Sequence, residues 1–571
     1  MKISDLSKRK QKIIRAWCMY DWANSAFATS GVAAIFPIYF VAVFQDAFGD
    51  EATFLGMTFT PTSTWSFGIA ISTAIVAFAS PVLGVVADRI PIKKTLLLIY
   101  TLLGSFFTIL VFFGVYTDFN WAWVMGSFFM GNIGFAGAIV IYNAFLPNIA
   151  PNELQDDVSG IGFAYGYIGG GLLLLIHAIL IFLFQDTSSE DLITRLSIAS
   201  IGLWWFGWSI WTLRVIPEPK IEKPMINLKI SQVFNLSIQE LSKTAKNIKK
   251  FKSMTMYLGS YLLFNDGIQT ILAIAGAYAA DTLGLPLMFA VITILLVQFT
   301  AAAGSLLFNK LSRMINTKNA LFLSLVIWTV IVIFAISITP LKPEKASEFD
   351  YSITYFSGVY NVESVPEFDS DKKSNDWNEL LLRNQIYSAS IEKNEKLTYE
   401  QANNLVEFVS ENKASEYSII VSGGQLNNIQ SIGPKHPSSL GEGGIDWWPK
   451  FMRQNIWYPL GLSVEYQWLL LGIAVGLVMG GSQALARSLF SKITPKHRTA
   501  EFFSFFGFAG KASSVIGPMI FVAVSAAMDA RVAIMAVCLL IVVGMLSLRF
   551  VNVEEGMRAA KNDEDLFFKS L

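Results

Sequence analysis

Residues 21–25 read DWANS and residues 266–270 read DGIQT, so both fit D-x-x-[NQ]-[ST]. Each sits inside a long apolar run. On a helix, positions i, i+3 and i+4 share one face. Each pentapeptide therefore predicts a polar stripe on an otherwise greasy helix. A charge at membrane depth costs several kcal/mol unless it is paired or meets water. Such a stripe is expected to line a polar cavity rather than face lipid. Two further matches follow in the same order. SGIGFA at 159–164 corresponds to SFFGFA at 504–509, and Ile149-Ala150-Pro151 corresponds to Ile493-Thr494-Pro495. Asp266 follows Asp21 by 245 residues, Ser504 follows Ser159 by 345, and Pro495 follows Pro151 by 344. One polar block of roughly a hundred residues, inserted in the second copy, accounts for the difference, as an internal repeat with one insertion would.

Composition agrees with a membrane chain. Of 571 residues, 53% are hydrophobic and 15% charged, against about a quarter charged in soluble domains. A spanning helix needs about 20 mostly apolar residues. Twelve runs qualify: 20–44, 65–87, 95–116, 121–147, 158–184, 196–213, 254–280, 285–308, 320–339, 466–486, 502–528 and 532–548. The fold class expected is an all-α membrane protein with two six-helix pseudo-repeats. Its parts are a first half (1–216), a linker (217–253), helices seven to nine (254–340), an insertion (341–462), helices ten to twelve (463–551) and a tail (552–571). Two six-helix halves arranged as parallel repeats are the architecture of major facilitator transporters.

Charge distribution sets orientation. Lys8, Arg9, Lys10, Lys12, Arg89, Lys93, Lys94, Lys310, Arg313, Arg487, Lys492, Lys496 and Arg498 all fall on the side of the termini. The positive-inside rule places that side in the cytoplasm. The acidic turn PNELQDD at 151–157 breaks the pattern. The two cysteines, Cys18 and Cys538, exclude a disulfide framework. The basic N-terminus followed by a long span reads as an uncleaved anchor, and a bacterial plasma membrane is the expected location.

Gly84-Val-Val-Ala-Asp88-Arg89-Ile-Pro-Ile-Lys93-Lys94 ends the second span. It resembles the superfamily's signature turn, with isoleucine or proline where glycine is usual. An aspartate there can accept from free amides of a neighbouring helix and pair with a basic residue. Gly84, Asp88, Arg89, Lys93 and Lys94 are thus the expected gating turn, against the plainer reading of a topogenic basic turn. The twelve runs hold three charges: Asp21, Asp266 and Lys511. Asp21, Asn24 and Ser25 are expected on one cavity wall and Asp266, Gln269 and Thr270 on the opposite one, with Asn143 nearby. Alternatively, Asp21 caps or anchors its helix at the entrance, and Asp266 forms a structural ion pair. Lys511 reads either as a partner of Asp266 or Asp21 or as the contact for a substrate carboxylate. Asp266 and Lys511 are expected to exchange their pairing for a proton or ligand.

YDWANSAF (20–27), YNAFLP (142–147), SGIGFAYGYIGGG (159–171), FNDGIQT (264–270), RSLFSKITP (487–495) and EFFSFFGFAGKASSVIGP (501–518) together resemble the vacuole-effluxer branch of the major facilitator superfamily. The resemblance covers both membrane halves and leaves out 341–462. It implies export of neutral amino acids.

The insertion reads as a small extracytoplasmic α+β domain, with strands at 351–362 and 416–424 and helices at 376–391 and 398–412. Trp447, Trp448, Trp457 and Tyr458 suit a membrane-surface belt. The linker reads as an amphipathic surface helix or a simple hinge. The function expected is secondary active transport of a small polar solute, most simply amino-acid efflux with protons as coupling ion. Alternatives are transport of peptides or cell-wall fragments, or a non-transporting receptor that uses 341–462. The sequence has no nucleophile–base set, metal spacing or phosphate loop, so neither an enzyme nor a cofactor is expected. Partners are the substrate and the bilayer, with no nucleic acid and no assigned partner for the insertion.

Overall fold

The computed structural model describes residues 2–49, 51–54, 57–221, 239, 248–285, 287–368, 371–386, 390–441, 443–514, 516–528 and 530–569. The amphipathic helix expected in the linker falls largely on 222–247, outside the described residues. The chain forms two compact units. The first comprises residues 1–274, 290–333 and 469–571, and the second 275–289 and 334–468.

The first unit is helical. Its first half contains α1 (Lys8–Phe48), α2 (Pro61–Arg89), α3 (Lys93–Tyr116), α4 (Asn120–Ile149), α5 (Gln155–Phe184) and α6 (Glu190–Val215). The second half begins with α7 (Lys252–Ala277), α8 (Leu287–Ile315) and α9 (Thr317–Ala335). Among the described residues, eleven helical stretches are long and apolar enough to cross a bilayer. The twelfth expected span is α7, which has the length, at 26 residues, but whose hydropathy is diluted by Asn265, Asp266 and Gln269. Outward-facing Phe106, Leu203 and Leu539 are exposed, as lipid-facing side chains of such helices must be.

Helix boundaries differ from the apolar runs in one systematic way. α1 starts at Lys8 rather than at residue 20, so Asp21 lies well inside the helix and does not cap it. Hydropathy marks where a helix enters lipid, not where its backbone hydrogen bonds begin. Within α1, Phe27–Ile35 is wound as a π-helix, a local widening that recurs at functional sites.

The second unit carries the insertion. α10 (Asp371–Arg383) and α11 (Tyr399–Glu411) pack on a five-stranded sheet. Ala52–Phe54 and Met57–Phe59, in the first unit, form a separate hairpin, β1–β2. The sheet strands are β3 (Tyr351–Phe356), β4 (Val359–Ser364), β5 (Lys396–Leu397), β6 (Ser418–Ser422) and β7 (Ile429–Ile432), in the order β5-β4-β3-β6-β7. β3 and β6 are parallel and the other pairs antiparallel. The single strand expected at 351–362 is in fact a hairpin. Ser357 and Gly358 both have positive φ, 52° and 89°, which suits a tight two-residue turn. Thr398 and Gln401 form the expected capping box on α11. The core gathers Ile353, Trp377, Leu381, Leu405, Val409 and Ile419, and Trp377 Nε1 donates to Tyr351 Oη at 2.9 Å. Trp457 Nε1 donates to the Ser337 carbonyl, while Trp447 is exposed.

After the insertion the first unit resumes within α12 (Val464–Lys492). The eleventh span is broken into α13 (Thr499–Ala512) and α14 (Ile516–Ala527). α15 (Ala530–Leu548) completes the bundle, and the tail is a further helix, α16 (Val553–Lys569).

Candidate functional site: a cavity between two six-helix halves

A cavity of about 560 Å³ lies between the halves, within the roughly 300–1,000 Å³ usual for small-molecule sites. Asp21, Asn24 and Ser25 of α1 line it together, as their i, i+3, i+4 spacing requires. Asn143 of α4, Tyr167 of α5, Gln269 of α7, Gln298 of α8, Gln483 and Arg487 of α12 and Lys511 of α13 also face it. Aromatic rings of Phe135, Phe163, Tyr261, Phe264 and Phe506 supply much of the remaining wall.

The cavity floor is an ion pair across the seam. Arg487 Nη1 donates to Asp21 Oδ2 at 3.1 Å, with the side chains 4% and 8% exposed. The guanidinium also donates to Asn143 Oδ1, Ser159 Oγ and the Ser159 carbonyl, and lies 4.1 Å from the Phe163 ring centre. Tyr142 Oη donates to the same Asp21 oxygen at 2.8 Å. So many partners are what a buried pair needs to offset desolvation. Gly162 belongs to this arrangement: a Cβ there would lie 2.7 Å from Asp21 Oδ2 and 3.0 Å from Arg487 Nη2. Arg487 was read from sequence as a loop charge. It is one residue past the apolar run 466–486, but the helix continues and buries it.

The second stripe behaves differently. Of Asp266, Gln269 and Thr270, Gln269 lines the cavity, while the other two are buried behind it. Asp266 accepts the Gly517 N–H on both carboxylate oxygens, at 3.1 Å each, in the first turn of α14. Its neighbour Asn265 donates to Ser513 Oγ and the Gly510 carbonyl at the end of α13. The pair Asn265-Asp266 therefore spans the break in the eleventh helix, satisfying groups that helix ends leave free. The expected pairing of Asp266 with Lys511 is not formed. Among the described residues Lys511 has no hydrogen-bond or ionic partner, and it is open to the cavity. Two further cavity groups are unspent: Asn24 Nδ2, a donor, and Gln298 Oε1, an acceptor.

Below the floor, on the face that carries α16, the halves are tied by a series of contacts. Asp88 accepts the Ala500 and Glu501 N–H groups of α13 at 3.1 and 2.8 Å and pairs with Lys93 Nζ at 2.7 Å. These contacts lie in the turn that the sequence singles out, and an anion at a helix N-terminus is favourable. Lys93 Nζ also reaches Thr499 Oγ1. Gly84 permits the approach, since a Cβ there would fall 2.5 Å from the Ala500 carbonyl oxygen. The backbone N–H groups of Lys93 and Lys94 donate to Glu218, and Arg89 lies over Phe567.

The anomalous acidic turn makes a second set of contacts between the halves. Asp157 accepts two hydrogen bonds from Arg313. Asp156 pairs with Lys492 at 2.8 Å and accepts from Ser312, Thr317 and Ser488. Read as loop charges, these two residues are instead buried in the first turn of α5. Asp21, Asp88, Asp156 and Asp157 all belong to the first half, and each meets donors of the second. His177, by contrast, lies away from the cavity; its ring nitrogens contact Ser30 and Ser200 hydroxyls, a structural bridge between α1 and α6.

The profile of the family described as "Vacuole effluxer Atg22 like" matches residues 9–343 and 450–561. The uncharacterized MFS-type transporter YxiO of Bacillus subtilis is 23% identical over 569 residues, covering 98% of this chain and all of that one. Autophagy-related protein 22 of Vanderwaltozyma polyspora is 20% identical, covering 98% of this chain and 94% of its own. Two solved structures share the fold. The transporter FucP, in its outward conformation, has a TM-score of 0.53 at 11% identity, covering 96% of this chain and 99% of its own. The proton:xylose symporter XylE also has a TM-score of 0.53, at 12% identity, covering 95% of each chain. With a bundle of the major facilitator fold and a family match on both sides of the insertion, the chain belongs to the vacuole effluxer Atg22-like family.

Proposed function

We propose that the protein is a secondary transporter that works by alternating access and carries small zwitterionic solutes, amino acids foremost, in the export direction. The observation that carries this reading is Lys511: a cation with no partner among the described residues, facing a cavity whose floor is an ion pair between the halves. An unpaired ammonium in such a place is suited to a carboxylate. The unspent Asn24 donor and Gln298 acceptor suit a ligand that offers both an acceptor and a donor. The aromatic wall accommodates apolar side chains. The family's description as effluxers supports the direction of transport.

The face bearing α16 is the cytoplasmic one on this reading, which the basic turns support. The full-length bacterial relative supports a bacterial plasma membrane. With the halves tied on that face, the structure is the cytoplasm-closed member of the cycle. Coupling then lies at the floor: a proton on Asp21 releases Arg487, and the seam opens. Asp266, held by α14, takes no part in the exchange.

Counterflow of a labelled amino-acid mixture in proteoliposomes tests the proposal. Exchange by wild type that is lost in Lys511→Met supports it. No exchange by folded wild type overturns the amino-acid reading and directs the search to peptides and cell-wall fragments.

A further inference from the structure

The tail helix α16 is tied to the gating turn. Asp563 accepts from Lys250 Nζ at 2.6 Å, and its other oxygen lies 3.4 Å from His497 Nε2 and 3.8 Å from Arg498 Nη1. Glu564 accepts the Lys496 N–H. These contacts anchor the tail to the second half, at the turn that leads into α13. Phe567 reaches across the seam. Its ring stacks on His497, with centroids 4.3 Å apart, and the Arg89 guanidinium of the first half lies 5.4 Å from its centre. Arg89 is next to Asp88. Arg498 in turn holds Glu501 through two hydrogen bonds, and the Glu501 N–H is one of the two that Asp88 accepts. Tail, turn and latch therefore form one connected chain of contacts: Asp563, Arg498, Glu501, Asp88.

We propose that α16 is a clasp on the transport cycle. Docked as seen, it favours the form in which this face is closed, and opening requires Phe567 to leave Arg89. The contact is positional: the tail touches neither the cavity nor its ligand. The inference rests on the alternating-access reading, but its test does not depend on substrate.

Spin labels at Glu153→Cys in the first half and Met314→Cys in the second, both at exposed positions, report the separation of the halves on this face. The native cysteines are buried. Double electron–electron resonance in lipid nanodiscs, without substrate, is expected to show one short distance for the otherwise unchanged protein. Phe567→Ala should add a longer component and raise the open-to-closed ratio about two- to fivefold, as expected for loss of the cation–π contact to Arg89 across the seam. Leu566→Ala, at an exposed neighbour, should leave the distribution unchanged. Identical distributions for wild type and Phe567→Ala would overturn the clasp, as would an equal shift in Leu566→Ala. Removal of residues 553–571 provides a second variant and should shift the ratio at least as far. Absence of amino-acid counterflow alongside these shifts would defeat the functional reading and leave the clasp standing.

Discussion

The Asp21 carboxylate and the Arg487 guanidinium meet at 3.1 Å across the seam between the halves, both almost wholly buried. Breaking a buried pair by removing one partner costs about 3–5 kcal/mol, whereas removing both costs far less. Asp21→Asn and Arg487→Gln are each expected to lower thermal stability in detergent and to abolish net transport. The double variant should regain much of the stability without the transport. Melting curves beside counterflow check this, and a double variant as unstable as the singles would show that the pair is not the unit.

Lys511 makes the opposite case. Having no partner among the described residues, it contributes little to the fold, so Lys511→Met is expected to melt with wild type while losing counterflow. Lys511→Arg should keep part of the activity. A large drop in melting temperature for Lys511→Met would mean that the lysine is structural.

Asp266→Ala should cost about 1.5–3 kcal/mol of stability, the worth of hydrogen bonds to a charged group. Asp266→Asn, which keeps an acceptor oxygen for the Gly517 N–H, should cost less and transport normally once folded. Loss of transport in well-folded Asp266→Asn would return this carboxylate to the coupling machinery.

Gly84→Val places a branched side chain where even a Cβ would lie 2.5 Å from the Ala500 carbonyl. The halves are then held apart at this face while each half stays intact. The expected result is loss of transport together with faster thiol labelling at the floor, read with Ser159→Cys. Unchanged labelling would contradict the closing role of the turn.

Asp350 offers a pH test in the insertion. Burial would raise its pKa, but hydrogen bonds from His436 and Ser418 outweigh this and hold it below the ordinary 3.8. A depressed folded-state pKa gives stability that is present above the ordinary value and is lost as pH falls through the folded one. Hydrogen exchange in β3 and β6 should thus be steady from neutral pH down to the ordinary aspartate range and rise below it. Asp350→Asn should remove that acid step.

Much of this was legible in the sequence because the bilayer is an unforgiving solvent. Apolar runs located the spans, eleven of which are long and apolar enough to cross a bilayer among the described residues, and the doubled D-x-x-[NQ]-[ST] stripe located the halves and the α1 wall. The Asp88 turn was legible for the same reason, since its chemistry is local. Arg487, Asp156 and Asp157 were missed because hydropathy stops where charge begins, while their helices run on and bury the charges against the other half. Asp266 was misplaced because periodicity gives a face but not what that face meets. Here it meets the start of α14, a break that no apolar count marks. In the insertion, Ser357-Gly358 was absorbed into one strand because the residues flanking it alternate alike on both sides.

The sorting of the seam, with four aspartates on the first half each meeting donors of the second, also has a consequence for biogenesis. Two first halves brought face to face would set carboxylate against carboxylate, and two second halves would set Arg313, Arg487 and Lys492 against their own kind. Only the heterologous match neutralises this face. The charges therefore favour a first half meeting a second half over two like halves meeting each other.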